Sequence, residues 1–387
     1  MRLIKSVDAS NNKDAISLFS GAMGLDIGLE LAGLNVRIGQ DNDAYCVETI
    51  KANGHKVIGG DIRKIEPQQL LDAIGLEKGE PFLVCGGPPC QSFSTAGKRL
   101  GISDPRGSLF MDFIRMIDFI RPRYFIMENV KGLMSSKAAE GLTALDIILS
   151  EFQKLGYKTV YGLLDAVNYG VPQFRERFVL IGSRDGENIF LPIPTHFQTH
   201  QEEDYRWIPL RDSILDLENK PGECTYFSSE RIAFLKMVPA GGNWRNLPKD
   251  CVEKAMGGAY KSGGGKVGFY RRLSYNEPSP TLVTSPVQKA SMLCHPEQDR
   301  PLSVREYARI QQFPDEWVFT GSLVSKYRQI GNAVPIGLGK ALGRVLIATA
   351  NGNATIQTKR IRGTDVHNRI RNALEIGGNY GNPSAVQ

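Results

Sequence analysis

A glycine-rich turn, Leu18-Phe-Ser-Gly-Ala-Met-Gly-Leu-Asp26, follows an apolar run at residues 15–19 and precedes a helical pattern at residues 24–32. Glycines between a strand and a helix let the backbone approach a ligand at the positive end of the helix. Gly21 and Gly24 stand at these positions, so the turn is compatible with NAD, FAD or S-adenosylmethionine. By itself it is weak evidence, because such glycines also close tight turns that bind nothing.

The first half of the chain alternates short apolar runs with amphipathic stretches. This pattern is typical of a parallel, doubly wound α/β sheet, whose ligands bind at the carboxyl ends of the strands. Further strands are predicted at residues 36–39, 57–58, 82–85, 124–127, 159–164 and 177–182. Further helices are predicted at residues 44–53, 109–120, 142–155, 303–311 and 336–348. Between them, roughly residues 191–270 are rich in Pro, Gly and aromatic residues and predict a loop-rich second domain.

Acidic side chains follow the second and third predicted strands. Asp41 stands where a carboxylate would hold a ribose diol, and Asp61 where one would contact the edge of an adenine. Either residue could instead cap the following helix. Three successive strand ends with a glycine turn or an acid favour a bound nucleoside.

One cysteine lies between prolines and small polar residues, in Cys85-Gly-Gly-Pro-Pro-Cys-Gln-Ser-Phe-Ser94. Proline fixes φ and removes a backbone donor, so the chain that leads to Cys90 is stiff. We expect a nucleophile on a loop at the end of a buried strand, open to a large substrate. The alternative is a buried structural cysteine.

Glu128 and two arginines are the other candidates for chemistry. Glu128 follows a predicted strand, so its carboxyl is expected at the sheet edge of Cys90, where it could protonate a ring nitrogen during thiolate attack. Arg175 and Arg177 alternate in an extended segment and share a face, which suits a phosphate or the carbonyl of a base. The alternatives are a solvated glutamate in a turn and surface arginines paired with Glu176.

The composition is that of an ordinary globular protein, with 387 residues, 41% hydrophobic and 23% charged residues and a net charge of +6. A basic chain permits a nucleic-acid partner without requiring one. The six cysteines lie far apart without a CxxC pair, so we expect reduced thiols and no metal site. We see no signal peptide and no apolar run of membrane-spanning length, and expect a cytoplasmic protein.

As an ordered set, the motifs resemble those of the DNA (cytosine-5)-methyltransferases of prokaryotic restriction–modification systems. The turn with Phe19 resembles the cofactor motif of that family, and Pro89-Cys90-Gln91 resembles its catalytic loop. Glu128-Asn-Val resembles its acid motif, and Gln173-x-Arg-x-Arg177 resembles the motif that contacts the base.

The resemblance continues to about residue 343. Arg272-Leu with Pro278-Ser-Pro-Thr281 resembles the motif after the target-recognition region, and Gly331-Asn-Ala-Val-Pro335 resembles the closing motif. The implied fold is a Rossmann-like α/β methyltransferase domain with a smaller, loop-rich target-recognition domain. We expect the catalytic and cofactor-binding part at 1–188, target recognition at 189–325, a segment that returns to the catalytic domain at 326–350 and a polar tail at 351–387.

The resemblance implies methylation of C5 of cytosine within a short duplex DNA sequence, with S-adenosylmethionine as cofactor. Cys90 would add to C6 of a flipped base, Glu128 would protonate or hydrogen-bond N3, and Arg175 and Arg177 would hold the base. The implied cofactor-binding residues are Phe19, Ser20, Gly21, Gly24, Leu25, Asp41, Asn42, Asp61, Ile62, Pro88, Asn332 and Ala333. Asn42 departs from the family, which often has an aromatic residue there. The implied DNA contacts are Gln91, Ser92, Lys98, Arg99, Arg106, Gln173, Arg245 and Arg272.

The expected partners are duplex DNA and a restriction endonuclease that acts on the same sequence without a stable complex. We expect a monomer that associates with the nucleoid. The alternatives are an RNA (tRNA) cytosine-5 methyltransferase on the same scaffold and a catalytically silent DNA-binding protein. A nicotinamide-dependent oxidoreductase would leave Cys90 unexplained.

Overall fold

The computed structural model describes residues 13–89, 109–136, 143–263 and 266–352. The predicted nucleophile Cys90 lies outside these ranges, as do residues 353–387 of the predicted tail. The same holds for five predicted DNA contacts, Gln91, Ser92, Lys98, Arg99 and Arg106.

A seven-stranded mixed sheet forms the centre of the described structure. Its strands are β1 (Asp14–Leu18), β2 (Asn35–Asp41), β3 (Val57–Gly59), β4 (Leu83–Gly86), β5 (Tyr124–Asn129), β6 (Lys158–Asp165) and β7 (Glu176–Ser183). Their order is β3-β2-β1-β4-β5-β7-β6, and β1 to β5 pair in parallel. The carboxyl ends of β1, β2, β4 and β5 therefore meet at one edge, where the predicted ligand site lies.

The expected parallel pairing is found for β1 to β5 but not at one end of the sheet, because β7 runs antiparallel to both β5 and β6. Residues 166–175 between β6 and β7 hold a short 3₁₀ turn instead of the long crossover that a parallel pair requires. The reversal places the start of β7 beside the end of β5, with Glu128 opposite Val179 and Asn129 opposite Phe178. Residues from both strands can therefore share one site.

Helices cover both faces of the sheet. They are α1 (Gly24–Leu31), α2 (Ala44–Ala52), α3 (Pro67–Ile74), α4 (Leu109–Ile120) and α5 (Ala144–Lys154). The helix α3 was not predicted, although Pro67 at its first position and a capping box between Glu66 and Gln69 mark its start.

After β7 the chain forms six more described helices. They are α6 (Arg211–Ile214), α7 (Ser229–Leu235), α8 (Lys249–Met256), α9 (Val304–Ile310), α10 (Leu323–Asn332) and α11 (Ile336–Ala350). A separate apolar cluster runs from Phe227 to Cys294 and includes α7 and α8. Other residues of this stretch, including Leu273, Leu282 and Leu293, belong to the main core, to which the chain from Leu302 onward also contributes.

The segment Leu323–Ala350 is long and apolar enough to cross a membrane by length and composition alone. It consists of α10 and α11, which are separated at Ala333–Pro335, and half of its most apolar window is buried. The helix α11 packs tightly on α1, where a Cβ at Gly28 would lie 2.4 Å from the carbonyl oxygen of Ile336. In this structure the segment is part of the core.

Candidate active site

Glu128 is a buried carboxyl at the carboxyl end of β5. The strand extends two residues beyond its predicted end, and Glu128 retains only 9% of its accessible surface. Its Oε1 accepts a hydrogen bond from Nε of Arg177 at 2.8 Å. Burial raises the pKa of Glu128, while the charges of Arg177 and then Arg175 lower it. A carboxyl whose proton affinity is set by these opposing effects is suited to exchange a proton with a substrate.

The chain that leads to Cys90 lies against Glu128. The side-chain amide of Asn129 donates to the carbonyl oxygen of Pro88 at 2.8 Å. A Cβ at Gly87 would lie 2.8 Å from Oε2 of Glu128, so a larger residue would displace the carboxyl. Cys90 follows Pro88 by two residues, which span at most about 7 Å. The segment that precedes the predicted nucleophile therefore lies at the edge of the sheet that carries Glu128.

Arg175 is buried within the protein, whereas the sequence predicts a side chain that holds the base. It is 1% exposed, and its guanidinium donates to the carbonyl oxygens of Leu282 at 2.8 Å and Gly331 at 2.6 Å. Burial lowers its pKa, the charge of Arg177 adds to this effect, and Glu128 opposes it. Since arginine stays protonated in proteins, it is a buried cation held by backbone. The prediction that Arg175 holds the base is corrected to a positioning role, and Arg177 alone contacts Glu128.

Two predicted DNA contacts are wrong because their side chains are buried and bonded within the protein. Gln173 is fully buried and donates to Oε1 of Gln311 at 3.0 Å. Arg272 donates to the carbonyl oxygens of Leu235 and Val238, each at 2.8 Å. Side chains with these partners cannot reach a nucleic acid on the surface.

The turn after β1 has the geometry of a ligand-binding turn. Phe19 adopts φ 54° and Gly21 adopts φ 55°. The N–H groups of Gly21 and Asp43 donate to the two carboxylate oxygens of Asp41, each at 2.8 Å. Asp41 thereby joins the turns after β1 and β2. A Cβ at Gly21 would meet nothing within 4 Å, so the turn borders open space.

The closing motif lies beside this turn. A Cβ at Gly24 would lie 2.2 Å from the carbonyl oxygen of Val334 and 3.1 Å from the Cβ of Ala333. Asn332, at the end of α10, is exposed. The structure therefore brings the first and last predicted cofactor motifs together across a separation of some 300 residues in sequence.

The remaining cofactor candidates differ in accessibility. Asn42 is exposed, and Asp61 accepts from Nε of Arg63 at 2.9 Å, an interaction that lowers the pKa of Asp61 to about 2. Pro88 is buried. Leu25 and Ile62 bury their side chains in the core, so only their backbone atoms are available to a cofactor. The hydroxyl of Ser20 is bonded to Ser17 and to the N–H of Gln40 and fixes the turn to β2.

A buried acid lies beneath the turn. Asp26 is fully buried, and its Oδ1 accepts from Sγ of Cys85 at 3.7 Å. Within the described ranges its Oδ2 has no hydrogen-bond partner. Burial raises the pKa of Asp26 to about 6, against hydrogen bonds from Ser17 and Cys85 that lower it.

We expect Asp26→Asn to stabilise the protein more at pH 8 than at pH 4.5. The folded pKa lies above the usual 3.8, so the folded state retains a proton that the unfolded chain has released. The free energy of unfolding therefore falls as pH rises from about 4 to 6, by about 3 kcal/mol in all. Melting temperatures of both proteins at the two pH values measure this. Equal changes at both would contradict it.

A cavity of about 420 Å³ opens beside Arg177. This volume lies in the range of small-molecule sites, roughly 300–1,000 Å³. At its rim, Nζ of Lys131 lies 3.0 Å from Oε2 of Glu176. The cavity is lined by Val130, Lys131, Gly132, Asp165, Phe174, Glu176, Arg177 and Thr281. A planar ring could therefore be held next to the pair of Glu128 and Arg177.

In the described ranges, no group of three or more His, Cys, Asp or Glu side chains could hold a metal ion. The five cysteines that the structure describes are free thiols.

Comparison with known proteins decides the family. A family model described as C-5 cytosine-specific DNA methylase matches residues 14–348. The chain belongs to this family. The resemblance predicted from the motifs is confirmed, as is the predicted α/β methyltransferase fold. The protein is a DNA (cytosine-5)-methyltransferase.

Curated relatives of this methyltransferase share most of its length. The Type II methyltransferase M.Sau96I of Staphylococcus aureus is 41% identical over 90% of this chain and 80% of its own. The Type II methyltransferase M.Eco47II of Escherichia coli is 38% identical over 88% of this chain and 80% of its own. A solved structure of a protein encoded within an Escherichia coli prophage covers 87% of this chain and 99% of its own, with a TM-score of 0.62 and 22% identity. The last comparison shows the shared fold.

Sequence reasoning missed two residues that shape the site of the methyltransferase. Asn129 was noted only as a neighbour of Glu128, although its amide holds Pro88. For Gly87 the sequence predicts only a tight turn out of the strand, whereas the lack of a side chain there provides room for the Glu128 carboxyl. A residue pattern of Gly-Pro-Pro beside a buried acid is the signal that could have indicated both.

Proposed function

We propose that this methyltransferase methylates C5 of one cytosine within a short duplex sequence through a covalent bond between Cys90 and C6 of the flipped base. The observation that carries the proposal is the contact of the Gly87–Pro88 segment with Glu128 and Asn129. It places the residues that precede Cys90 in sequence against a buried carboxyl of raised pKa. A nucleophile and an acid on opposite sides of one ring are what addition to C6 requires.

Methyl transfer begins with the action of Cys90 and Glu128 on the cytosine ring. The Cys90 thiolate forms a bond to C6 while Glu128 protonates or hydrogen-bonds N3, and electron density moves to C5. C5 then takes the methyl group, a base removes the C5 proton, and the thiolate leaves with the C5–C6 double bond restored. Arg177 holds the Glu128 carboxylate through Nε at 2.8 Å and fixes its direction.

The proposed cofactor is S-adenosylmethionine, which supplies a sulfonium methyl group. The turn at Phe19–Gly21 borders open space and fits a nucleoside. Asp41 offers carboxylate oxygens for a ribose diol, and Asp61 lies after the neighbouring strand. Asn332 is exposed and directly precedes Ala333, which lies beside Gly24, so we assign it to the same cofactor site.

The proposed substrate is duplex DNA in a restriction–modification context, since the relatives at 38–41% identity are Type II methyltransferases. This favours DNA over the RNA alternative. We place target recognition on the region that holds the second apolar cluster, from Phe227 to Cys294, within the predicted 189–325 domain. We further propose a cytoplasmic monomer that shares its site with an endonuclease without a stable complex.

The experiment incubates the protein with methyl-labelled S-adenosylmethionine and either duplex DNA or tRNA. We expect label in DNA, as 5-methylcytosine at one sequence, and none in tRNA. Bisulfite sequencing of DNA from cells that express the protein gives the sequence and the modified cytosine. Label in tRNA alone, or in no nucleic acid, would refute the proposed function.

A further inference from the structure

Residues 238–247 form a rigid loop in the region that holds the second apolar cluster. Gly241 adopts φ 76°, and its N–H donates to the carbonyl oxygen of Leu273 at 3.0 Å. The N–H of Trp244 donates to the carbonyl oxygen of Phe269 at 3.1 Å. In return, the carbonyl oxygen of Gly242 accepts from the N–H of Arg272 at 3.0 Å. Three backbone bonds thus fix the loop on residues 269–273.

The tip of this loop is closed by a reciprocal cap. Oδ1 of Asn243 accepts from the N–H of Arg245 at 3.1 Å, and Oδ1 of Asn246 accepts from the N–H of Asn243 at 3.0 Å. The backbone of Arg245 is therefore held in one conformation without contact to any ligand.

The side chain of Arg245 is exposed and unused. Its guanidinium carbon lies 5.6 Å from the ring centre of Trp244. Among the described residues its guanidinium makes no hydrogen bond and no ion pair. The other eight arginines between residues 189 and 325 all use side-chain donors within the protein. These are Arg206, Arg211, Arg231, Arg271, Arg272, Arg300, Arg305 and Arg309.

An indole ring stacked under a guanidinium restricts the motion of the guanidinium. The N–H donors in the guanidinium plane stay free. Such a fork matches O6 and N7 of guanine, which lie side by side in the major groove of DNA. A lysine delivers only a point charge, which is sufficient for a phosphate. Exposed lysines of the same region, including Lys249 and Lys254 on α8, are suited to phosphates.

The loop is linked to the cavity beside Arg177 by a short segment. The carbonyl oxygen of Leu273 accepts from the N–H of Gly241 in the loop. Thr281, eight residues later, lines the cavity, and its hydroxyl donates to the carbonyl oxygen of Phe174 at 2.7 Å. Eight residues span at most about 28 Å. This is less than one turn of B-form DNA, about 34 Å. The point at which Leu273 holds the loop therefore lies within one turn of duplex DNA of the cavity.

We propose that Arg245 reads one guanine of the recognition sequence through a bidentate contact in the major groove. The proposal rests on the proposed function, methylation of a cytosine in a specific duplex. It assigns sequence specificity at one G·C pair to one side chain, and it assigns the orientation of that side chain to Trp244.

The experiment first finds the wild-type recognition sequence by methylating a random duplex library and sequencing after bisulfite treatment. Arg245→Lys and Arg245→Gln are then tested on the cognate duplex and on duplexes with each pair replaced in turn. Lys254→Gln is the matched control for loss of an exposed charge. Melting temperatures verify that all variants fold.

Both Arg245 variants should lose discrimination at the same single G·C pair by about 10- to 100-fold, with the KM for S-adenosylmethionine unchanged. Lys254→Gln should keep wild-type discrimination at every position. A phosphate contact would give a different result: Arg245→Gln would bind all sequences more weakly by the same factor and with a shallower salt dependence, and Arg245→Lys would keep full activity. That result would overturn the proposal. Unchanged discrimination in both variants would also overturn it. A wild-type protein that methylates no DNA would instead refute the proposed function.

Discussion

Replacing Glu128 with glutamine should lower the rate of methyl transfer by about 10²- to 10⁴-fold, the usual contribution of a positioned acid or base. Glutamine has nearly the same shape and its amide oxygen can still accept from Arg177, which lies 2.8 Å from the native carboxylate. It cannot carry a transferable proton to N3 of the base. Single-turnover rates at saturating DNA and labelled S-adenosylmethionine measure the effect. Affinity for both substrates should remain close to that of the wild type.

Glu176→Gln is the matched control for Glu128→Gln. Glu176 is an exposed acid on the rim of the cavity beside Arg177 and pairs with Lys131 at 3.0 Å. Its loss removes one negative charge near the site without removing the proposed proton donor, so it should change the rate by only a few-fold. If Glu128→Gln kept more than a tenth of the wild-type rate, Glu128 would not be the acid.

Replacing Arg175 with methionine should destabilise the protein by about 3–5 kcal/mol, the usual cost of breaking a buried charged network. The change removes a buried guanidinium and leaves the carbonyl oxygens of Leu282 and Gly331 without their donor. It also leaves Glu128 with one cation fewer. Chemical denaturation monitored by tryptophan fluorescence measures the loss. Arg175→Lys should recover part of the stability, since one ammonium can serve one of the two carbonyls.

The variant Arg177→Met distinguishes the role of Arg177 from that of Arg175. Arg177 is bonded to Glu128, so its loss should mainly lower the rate, with a smaller loss of stability than in Arg175→Met. If Arg175→Met kept its stability and lost only activity, the sequence-based prediction that Arg175 holds the base would be right and the positioning role wrong.

Much of the fold follows from local sequence patterns. The first five strands and α4 lie within two residues of their predicted bounds, because buried strands and an amphipathic helix have clear periodicity. The direction of β7 was not predictable in the same way. A run such as Phe178–Ile181 is apolar in either orientation, and only the lack of a crossover helix before it indicates a hairpin.

Some residues of the candidate site were predicted correctly from the sequence, and others were not. Glu128 and the cofactor turn follow from their places at strand ends. Arg175 and Arg272 were misinterpreted because their acceptors are backbone carbonyls far away in sequence. Leu282 and Gly331 are 107 and 156 residues from Arg175. Nothing local distinguishes a buried arginine that binds backbone from an exposed one that binds DNA. Likewise, the sequence does not indicate that the Arg245 guanidinium has no hydrogen-bond or ion-pair partner among the described residues. This is found only when the partners of the other arginines are known.

The proposed methyl transfer depends on a covalent bond between Cys90 and C6 of the target cytosine. The most direct test is intact mass spectrometry of the protein with S-adenosylmethionine and a duplex that carries 5-fluorocytosine at the target position. Fluorine cannot leave C5 as a proton does, so the adduct cannot resolve. We predict a stable one-to-one complex whose digestion yields the Cys90 peptide bound to a methylated 5-fluorocytosine, and none with Cys90→Ala. No adduct on the duplex that the wild type methylates, or an adduct that persists in Cys90→Ala, would contradict the proposal.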